Sequence, residues 1–302
     1  MRLSPRHPRF ESLRVRHELA EAHRSGLVVP EGLIAQGRGE AFDYLLGERT
    51  TASARRAERT AAAWLLAARH PVVSVNGNVA ALAAKEVAAL ARATPHLDVE
   101  VNLFHRTGAR AQKVADRLRA AGVRRVLGVR PTATIPHLPS DRAKVDRRGI
   151  READVCLVPL EDGDRTEALR ALGKRVISID LNPLSRTSQS ADLPIVDELR
   201  RALRGISREV ERQRRRPRPR GFAPFDRRRA LADALATIRR GINRAASLRP
   251  SAPARRRASR RRSRGTVGPT RRTPGRSSRR CRSRPRRGPR GGPGRRSPPV
   301  SR

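Results

Sequence analysis

The sequence predicts an α/β fold, a mainly parallel sheet with flanking helices, followed by a disordered arginine-rich tail. Three observations predict it. From Pro71 onward, short apolar runs alternate with longer helical patterns, as they do where crossover helices join parallel strands. Several of the apolar runs end in polar, anion-seeking residues. The last acidic residue is Asp233, yet arginine continues to the C-terminus.

The elements follow in order. Residues 1–50 are polar with helical patches, one over 10–23 with Phe10, Leu13 and Leu19 as its apolar positions. The alanine-rich stretch 53–69, with Trp64, Leu65 and Leu66, predicts a helix. Strands are expected at 72–75, 99–104, 125–129, 154–158, 175–179 and 193–196. Helices are expected at 79–92, 109–121, 164–172, 197–214 and 226–240. A body of 1–245 is thus followed by a tail of 246–302, made of Arg, Pro, Ser and Gly, with too little apolar surface to offset chain entropy.

Charge separates the same two parts. The formal net charge is +41, and the residues after Asp233 supply 24 arginines, leaving +17 for residues 1–233. Three readings of the tail stand: a polyanion-binding arm, inert solvated charge, or the product of a frameshift in GC-rich DNA. The last two are preferred, because nothing in it resembles a structured nucleic-acid-binding motif. Aromatic residues are 2% of the chain, so platforms for stacking bases are few. Cys156 and Cys281 make neither a disulfide framework nor a zinc spacing. Neither a signal peptide nor a membrane span is evident, which points to the cytoplasm.

Five polar strand exits and loops carry the chemistry. Asp180-Leu181-Asn182-Pro183-Leu184-Ser185-Arg186-Thr187 follows an apolar strand, and the carboxyl edge of an open α/β sheet is where ligands bind. Ser, Arg and Thr suit phosphate oxygens, while Asp and Asn suit ribose or base edges. A strand-to-loop exit with Asn-Pro turn chemistry is the alternative. In Val75-Asn76-Gly77-Asn78, Asn78 is expected to cap a helix whose amides could take an anion, with Lys85 two turns on. In Glu161-Asp162-Gly163-Asp164-Arg165-Thr166-Glu167, Asp164 and Glu167 read as a capping box. Glu161, Asp162 and Asp164 could instead hold Mg²⁺ or an ammonium group. Arg165 in the first helical turn opposes the helix dipole, and makes sense beside a bound phosphate or carboxylate. Gln36-Gly37-Arg38-Gly39-Glu40 reads as a basic loop able to approach a polyanion, and Asn102-Leu103-Phe104-His105-Arg106-Thr107 is a further exit. Neither a P-loop nor a G-x-G-x-x-G fingerprint is present.

The segments GLIAQGRGEAFDYLLGERT (32–50), PVVSVNGNVAAL (71–82), VNLFHRT (101–107), ADVCLVPLEDGDRTEAL (153–169) and DLNPLSRTSQSADLPIVD (180–197) resemble the archaeal 4-phosphopantoate–β-alanine ligase family, also called phosphopantothenate synthetase. The likeness runs from about His7 to Asn243. It implies a Rossmann-like fold, a homodimer and a step of coenzyme A synthesis. In that step 4-phosphopantoate is joined to β-alanine using ATP, with release of AMP and diphosphate, and Mg²⁺ accompanies the nucleotide. Carried over residue by residue, the ATP contacts fall on Arg16, Arg38, Asp180, Leu181, Asn182, Arg186, Thr187, Glu198 and Leu199. Gln36 stands where many members carry His. Glu198 and Leu199 stand where Asn-Ile is common, so Glu198 is expected to act through its backbone. Candidate catalytic residues are Asn76, Lys85, Arg106 and Arg165, and no metal ligands are assigned. Two other functions remain open: a Rossmann-like phosphotransferase, and a nucleic-acid-associated protein acting through the tail.

Overall fold

The computed structural model describes residues 4, 6–7, 9–215, 217 and 221–247. Among them, three helices open the chain: α1 (Phe10–Arg24), α2 (Pro30–Leu46) and α3 (Ala52–Ala67). The alternating part then runs β1 (Pro71–Val75), α4 (Gly77–Ala93), β2 (Asp98–Val101), α5 (Gly108–Ala120) and β3 (Val126–Leu127). A small hairpin of β4 (Ala133–Thr134) and β5 (Lys144–Val145) follows, interrupted by a 3₁₀ turn at Asp141–Ala143 and followed by a π turn at Arg147–Arg151. The chain returns to the sheet with β6 (Val155–Pro159), α6 (Gly163–Ala171), β7 (Arg175–Ile179), α7 (Arg186–Ser190) and β8 (Leu193–Ile195). The long helices α8 (Leu199–Gln213) and α9 (Arg227–Ser247) close it.

The main sheet has the order β3-β2-β1-β6-β7-β8 with every pairing parallel. The order reverses between β1 and β6, the crevice where doubly wound folds bind ligands. Strand residues alternate between two cores. Val73, Val75, Leu157, Ile177 and Ile179 face the layer of α1, α3, α4, α5 and α8, whereas Val72, Cys156, Val158 and Val176 face Leu169 of α6 and the hairpin layer. Burial on both faces explains why these strands read as continuous apolar runs. Leu46 of α2, Leu181 and Val196 at strand exits, and Leu231, Ala234 and Ile238 of α9 form a third cluster. That cluster fastens α2 over the carboxyl edge of the sheet.

Three expectations are corrected. The stretch containing Arg38 is no loop but the middle of α2, which starts with Pro30 in its first turn and ends at Gly47 in the left-handed region, φ +89°. The second strand stops at Val101 rather than 104; Asn102 N still donates to the Val75 carbonyl of β1 at 3.0 Å, while its side-chain Nδ2 donates to the carbonyls of Arg142 and Lys144, both at 3.1 Å. The hairpin and π turn over 133–151 were not foreseen, since β4 and β5 are only two residues each. Buried Glu100 holds the π turn, accepting from Asp146 N (2.8 Å) and Ile150 N (2.6 Å). The tail expected beyond the body lies, from residue 248 onward, outside the described residues.

Candidate active site

A cavity of about 560 Å³ opens at the carboxyl ends of β1, β6 and β7, with α2 as its cover. Its volume is in the range of small-ligand sites. The exits of β1 and β6 are joined by Asn76. Its Oδ1 caps α4 by accepting from Val79 N (3.1 Å), and its Nδ2 donates to the carbonyls of Leu160 (2.8 Å) and Pro159 (3.2 Å). The cap is therefore Asn76, not Asn78. Asn78 lies inside α4 and donates from Nδ2 to the Gly32 carbonyl of α2 at 2.7 Å. That approach needs a glycine, because a Cβ on residue 32 would fall 2.2 Å from Asn78 Oδ1. Leu160, gripped by Asn76, has φ +52°, a strained conformation for a branched residue.

Below the cavity lies a buried charge network. Arg165 is fully buried, ion-pairs with Glu161 and donates to Ser74 Oγ at 3.0 Å. Its carboxylate partner is thus the protein's own, and Arg165 is not among the residues that line the cavity. Arg142, from the 3₁₀ turn, meets Glu161 Oε1 at 2.9 Å and Asp162 Oδ2 at 2.7 Å. Burial pushes the Asp162 carboxyl up, with Arg142 opposing. Asp164 is not a capping residue. It pairs with Arg186 at 2.6 Å, and Glu167 pairs with the same guanidinium at 3.0 Å. Glu161, Asp162 and Asp164 are all taken by arginines, and among the described residues no group of three or more His, Cys, Asp or Glu could hold a metal ion. The residues present do not form a cage for Mg²⁺.

The β7 exit forms the opposite wall. Asp180 accepts from Asn182 N (2.9 Å) and Ser185 Oγ (2.5 Å), and Asn182 Oδ1 accepts from Leu184 N (2.9 Å). Burial raises the Asp180 carboxyl, against the hydrogen bonds from Ser185 and Asn182 and, last, the Arg38 charge. Thr187 Oγ1 donates to the Glu161 carbonyl at 2.6 Å. Gly163 packs so closely on Arg186 that a Cβ there would lie 2.4 Å from the Arg186 Cβ.

The fold brings Arg38, Asn76, Asp180, Leu181, Asn182, Arg186 and Thr187 to this one cavity. It does not bring in Arg16, Lys85, Arg106, Arg165, Glu198 or Leu199. Arg16 pairs with Glu40 across α1 and α2 at 3.0 Å, outside the cavity lining. Glu198 caps α8 by accepting from Arg201 N at 2.9 Å, and Leu199 is buried in the core, so neither lines the cavity. Lys85 is exposed on α4. Arg106 donates to the Val129 and Gly128 carbonyls and braces the loop after β3. Among the lining residues that escaped the sequence reading are two arginines, Arg110 and Arg142. Arg110 looks like any solvated arginine early in a helix, and Arg142 lies in a stretch with no periodicity. A second cavity of about 520 Å³, near the start of β7, is framed by Trp64, Phe222 and Arg175. There the Arg175 guanidinium lies 5.1 Å and 4.5 Å from the two ring centroids.

A profile of the family described as phosphopantothenate/pantothenate synthetase matches residues 53–241. The chain belongs to that family. Within the phosphopantothenate/pantothenate synthetase family, a protein of Methanospirillum hungatei is 57% identical over 202 residues, 67% of this chain and 82% of that protein. One of Methanosarcina mazei is 50% identical over 235 residues, 77% of this chain and 92% of its own. One of Thermococcus kodakarensis is 48% identical over 244 residues, 80% of this chain and 93% of its own. All three carry the name 4-phosphopantoate–β-alanine ligase. The segments that first suggested this family are the ones that the sheet's reversal draws together around the cavity.

Proposed function

We propose that this synthetase-family chain is an ATP-dependent ligase that condenses 4-phosphopantoate with β-alanine to 4′-phosphopantothenate, releasing AMP and diphosphate. One observation carries the reading. Relatives of that name are 48–57% identical to this chain over 202–244 aligned residues, and the family's segments supply most of the lining of one cavity at the sheet's crossover. We further infer a cytoplasmic homodimer, in keeping with the resemblance. No described helix is long and apolar enough to cross a membrane.

A carboxylate does not acylate an amine at neutral pH without activation. In the proposed route the phosphopantoate carboxylate oxygen attacks the α-phosphorus of ATP, and the bond to the diphosphate breaks. The β-alanine amine then attacks the acyl carbon, its proton leaves, and AMP departs. Arg38 and Arg186, which line the cavity, would oppose nucleotide charge, and Asp180 with Asn182 would meet ribose or base. Asn76 does not touch the reacting atoms in this scheme but fixes the two strand exits. Holding the acyl adenylate beside the amine makes the second step effectively unimolecular. Magnesium would arrive on the nucleotide phosphates, and no step is assigned to it.

Incubation of the protein with 4-phosphopantoate, β-alanine and ATP, followed by mass spectrometry, tests the reading. The expected products are 4′-phosphopantothenate, AMP and diphosphate. Diphosphate release should require phosphopantoate, while a single turnover to the adenylate should not require β-alanine. ADP and phosphate as products would replace the adenylate with an acyl phosphate or a phosphotransfer.

A further inference from the structure

Helix α2 covers the cavity, yet little within the helix holds it there. Gly32, Gly37 and Gly39 weaken it as a helix, its N-cap Val29 offers no side-chain bond, and of its 17 residues only Leu46 is buried. Arg38 is exposed and, among the described residues, makes no ion pair or side-chain hydrogen bond of its own. Where Arg38 stands over the cavity is therefore set by where α2 stands. The first turn of α2 is held by Asn78, through the Gly32 carbonyl. The other end is held by a group that the ligase reading has not used.

That group is Arg201, in the first turn of α8, where a cation opposes the helix dipole. Its guanidinium takes both oxygens of Asp43 in α2, Nη1 to Oδ2 at 3.1 Å and Nη2 to Oδ1 at 2.6 Å. The same guanidinium holds Asp197 Oδ1, from Nε at 3.0 Å and from Nη2 at 2.9 Å. The second oxygen of Asp197 accepts from Thr50 Oγ1 at 2.6 Å, just past the end of α2. Asp197 is buried and follows β8, whose Ile195 carbonyl accepts from Asp180 N at 3.1 Å. One guanidinium thus ties the end of α2 to the sheet edge that carries Asp180. Burial works against the Arg201 charge, but the bonds to Asp43 and Asp197 hold it above the usual guanidinium range. Gly39 and Gln36, one and two turns before Asp43 on the same face of α2, line the cavity, while Asp43 lies beyond the lining.

We propose that Arg201 is a positioning residue for the nucleotide: by clamping Asp43 to Asp197 it sets the place of α2, and so aims Arg38 at the phosphates. The assignment rests on the ligase reading and deepens it. Arg201 itself touches neither substrate nor nucleotide in this scheme. A lysine cannot replace it, because an ammonium is a point charge and cannot grip one carboxylate with a fork while bonding a second. Because the first turn of α2 is held separately by Asn78, loosening the clamp should be felt at Arg38 and the nucleotide rather than across the whole cavity.

The test is steady-state kinetics on Arg201→Lys, Arg38→Ala and the double variant, with each substrate varied in turn and the others saturating. Arg201→Lys is expected to raise KM for ATP about 10-fold, within the range of couplings inside one hydrogen-bonded network. KM for 4-phosphopantoate and β-alanine should stay near the unaltered values. In the Arg38→Ala background the same change should add little, because Arg38 is the group it misplaces. Asp43→Asn cuts the clamp while leaving the Arg201–Asp197 pair, and should shift KM for ATP the same way by less. On the unaltered chain, ATP alone should slow amide exchange over residues 43–47, although Asp43 and the residues after it do not line the cavity. This arm decides the matter even if no variant folds. A folded Arg201→Lys protein that loses kcat with KM for ATP unchanged, an effect that adds in full to Arg38→Ala, or exchange over 43–47 that ATP leaves unaltered would each overturn the assignment. An Arg38→Ala protein with unaltered ATP kinetics would remove the nucleotide contact it depends on, and an unaltered chain that forms no 4′-phosphopantothenate would instead sink the ligase reading beneath it.

Discussion

Arg186 is exposed, and its two carboxylate partners, Asp164 and Glu167, are exposed as well. Such pairs contribute little to stability, so Arg186→Ala should leave the thermal melt nearly unchanged. It should nonetheless weaken ATP use by ~10-fold or more, on the size of a charge-assisted bond to phosphate. Nucleotide titration and a melting curve on the same preparation check both halves of that statement. A folded variant with unaltered ATP kinetics would remove Arg186 from the site. Residues such as Arg186, Asp180 and Asn182 were legible in the sequence because they follow a strand directly, and a strand exit has only one place to go in a parallel sheet. Arg165 was not. The same cation at a helix start that suggests a ligand is here neutralised by Glu161, four residues earlier, and only burial tells the two cases apart. Arg16, Glu198 and Leu199 came from family resemblance rather than from local chemistry, and the cavity does not reach them.

Helices α3 and α8 meet around a buried carboxyl. Glu58 of α3 packs where Gly205 of α8 has no side chain, and a Cβ on Gly205 would fall 2.2 Å from Glu58 Oε2. Glu58 Oε1 is buried without a hydrogen-bond partner. Burial first, then the charge of Asp197, push the Glu58 carboxyl up to about 8 from its ordinary 4.5, against Arg208 and Arg55, while Glu209 adds to the rise. The folded state thus holds a proton that the unfolded chain releases near pH 4.5. Stability is unaffected by this group below that pH, falls as pH rises toward 8, and is constant above. Glu58→Gln should therefore gain stability relative to the unaltered chain between pH 5 and pH 8, at most on the order of 3–5 kcal/mol. Melts of both proteins at the two pH values would show it, and parallel curves would refute it. At the level of elements, strands buried on both faces and alanine-rich helices were readable from periodicity alone. Helix α2 was not, because Gly32, Gly37 and Gly39 imitate a loop, and its helicity is imposed by packing on α9 and the strand exits. The hairpin after β3 escaped for the opposite reason, its strands being too short to show any period.

For the whole chain, the described residues end in α9 at Ser247, and every residue that lines the cavity lies well before it. Removing residues 248–302 should leave ligase activity within about two-fold, since binding residues and core are retained. The removed segment carries no acidic residue, so full-length protein should bind polyanions with an affinity that falls steeply with salt. Side-by-side assays at low and moderate salt, with circular dichroism as the control for folding, decide the point. Loss of activity in a folded truncated protein would make the tail part of the enzyme. The contact between Gly163 and Arg186 has a consequence at this scale too. Two connecting segments that belong to different strands are locked together by that close approach, by the Thr187–Glu161 bond and by the Arg186 ion pairs. They can shift only in concert, like the two jaws of a hinge sharing one pin. A nucleotide that stills the segment after β7 must still the one after β6 as well, so amide exchange around Gly163 should slow when ATP is added, although Gly163 itself is assigned no part in holding it.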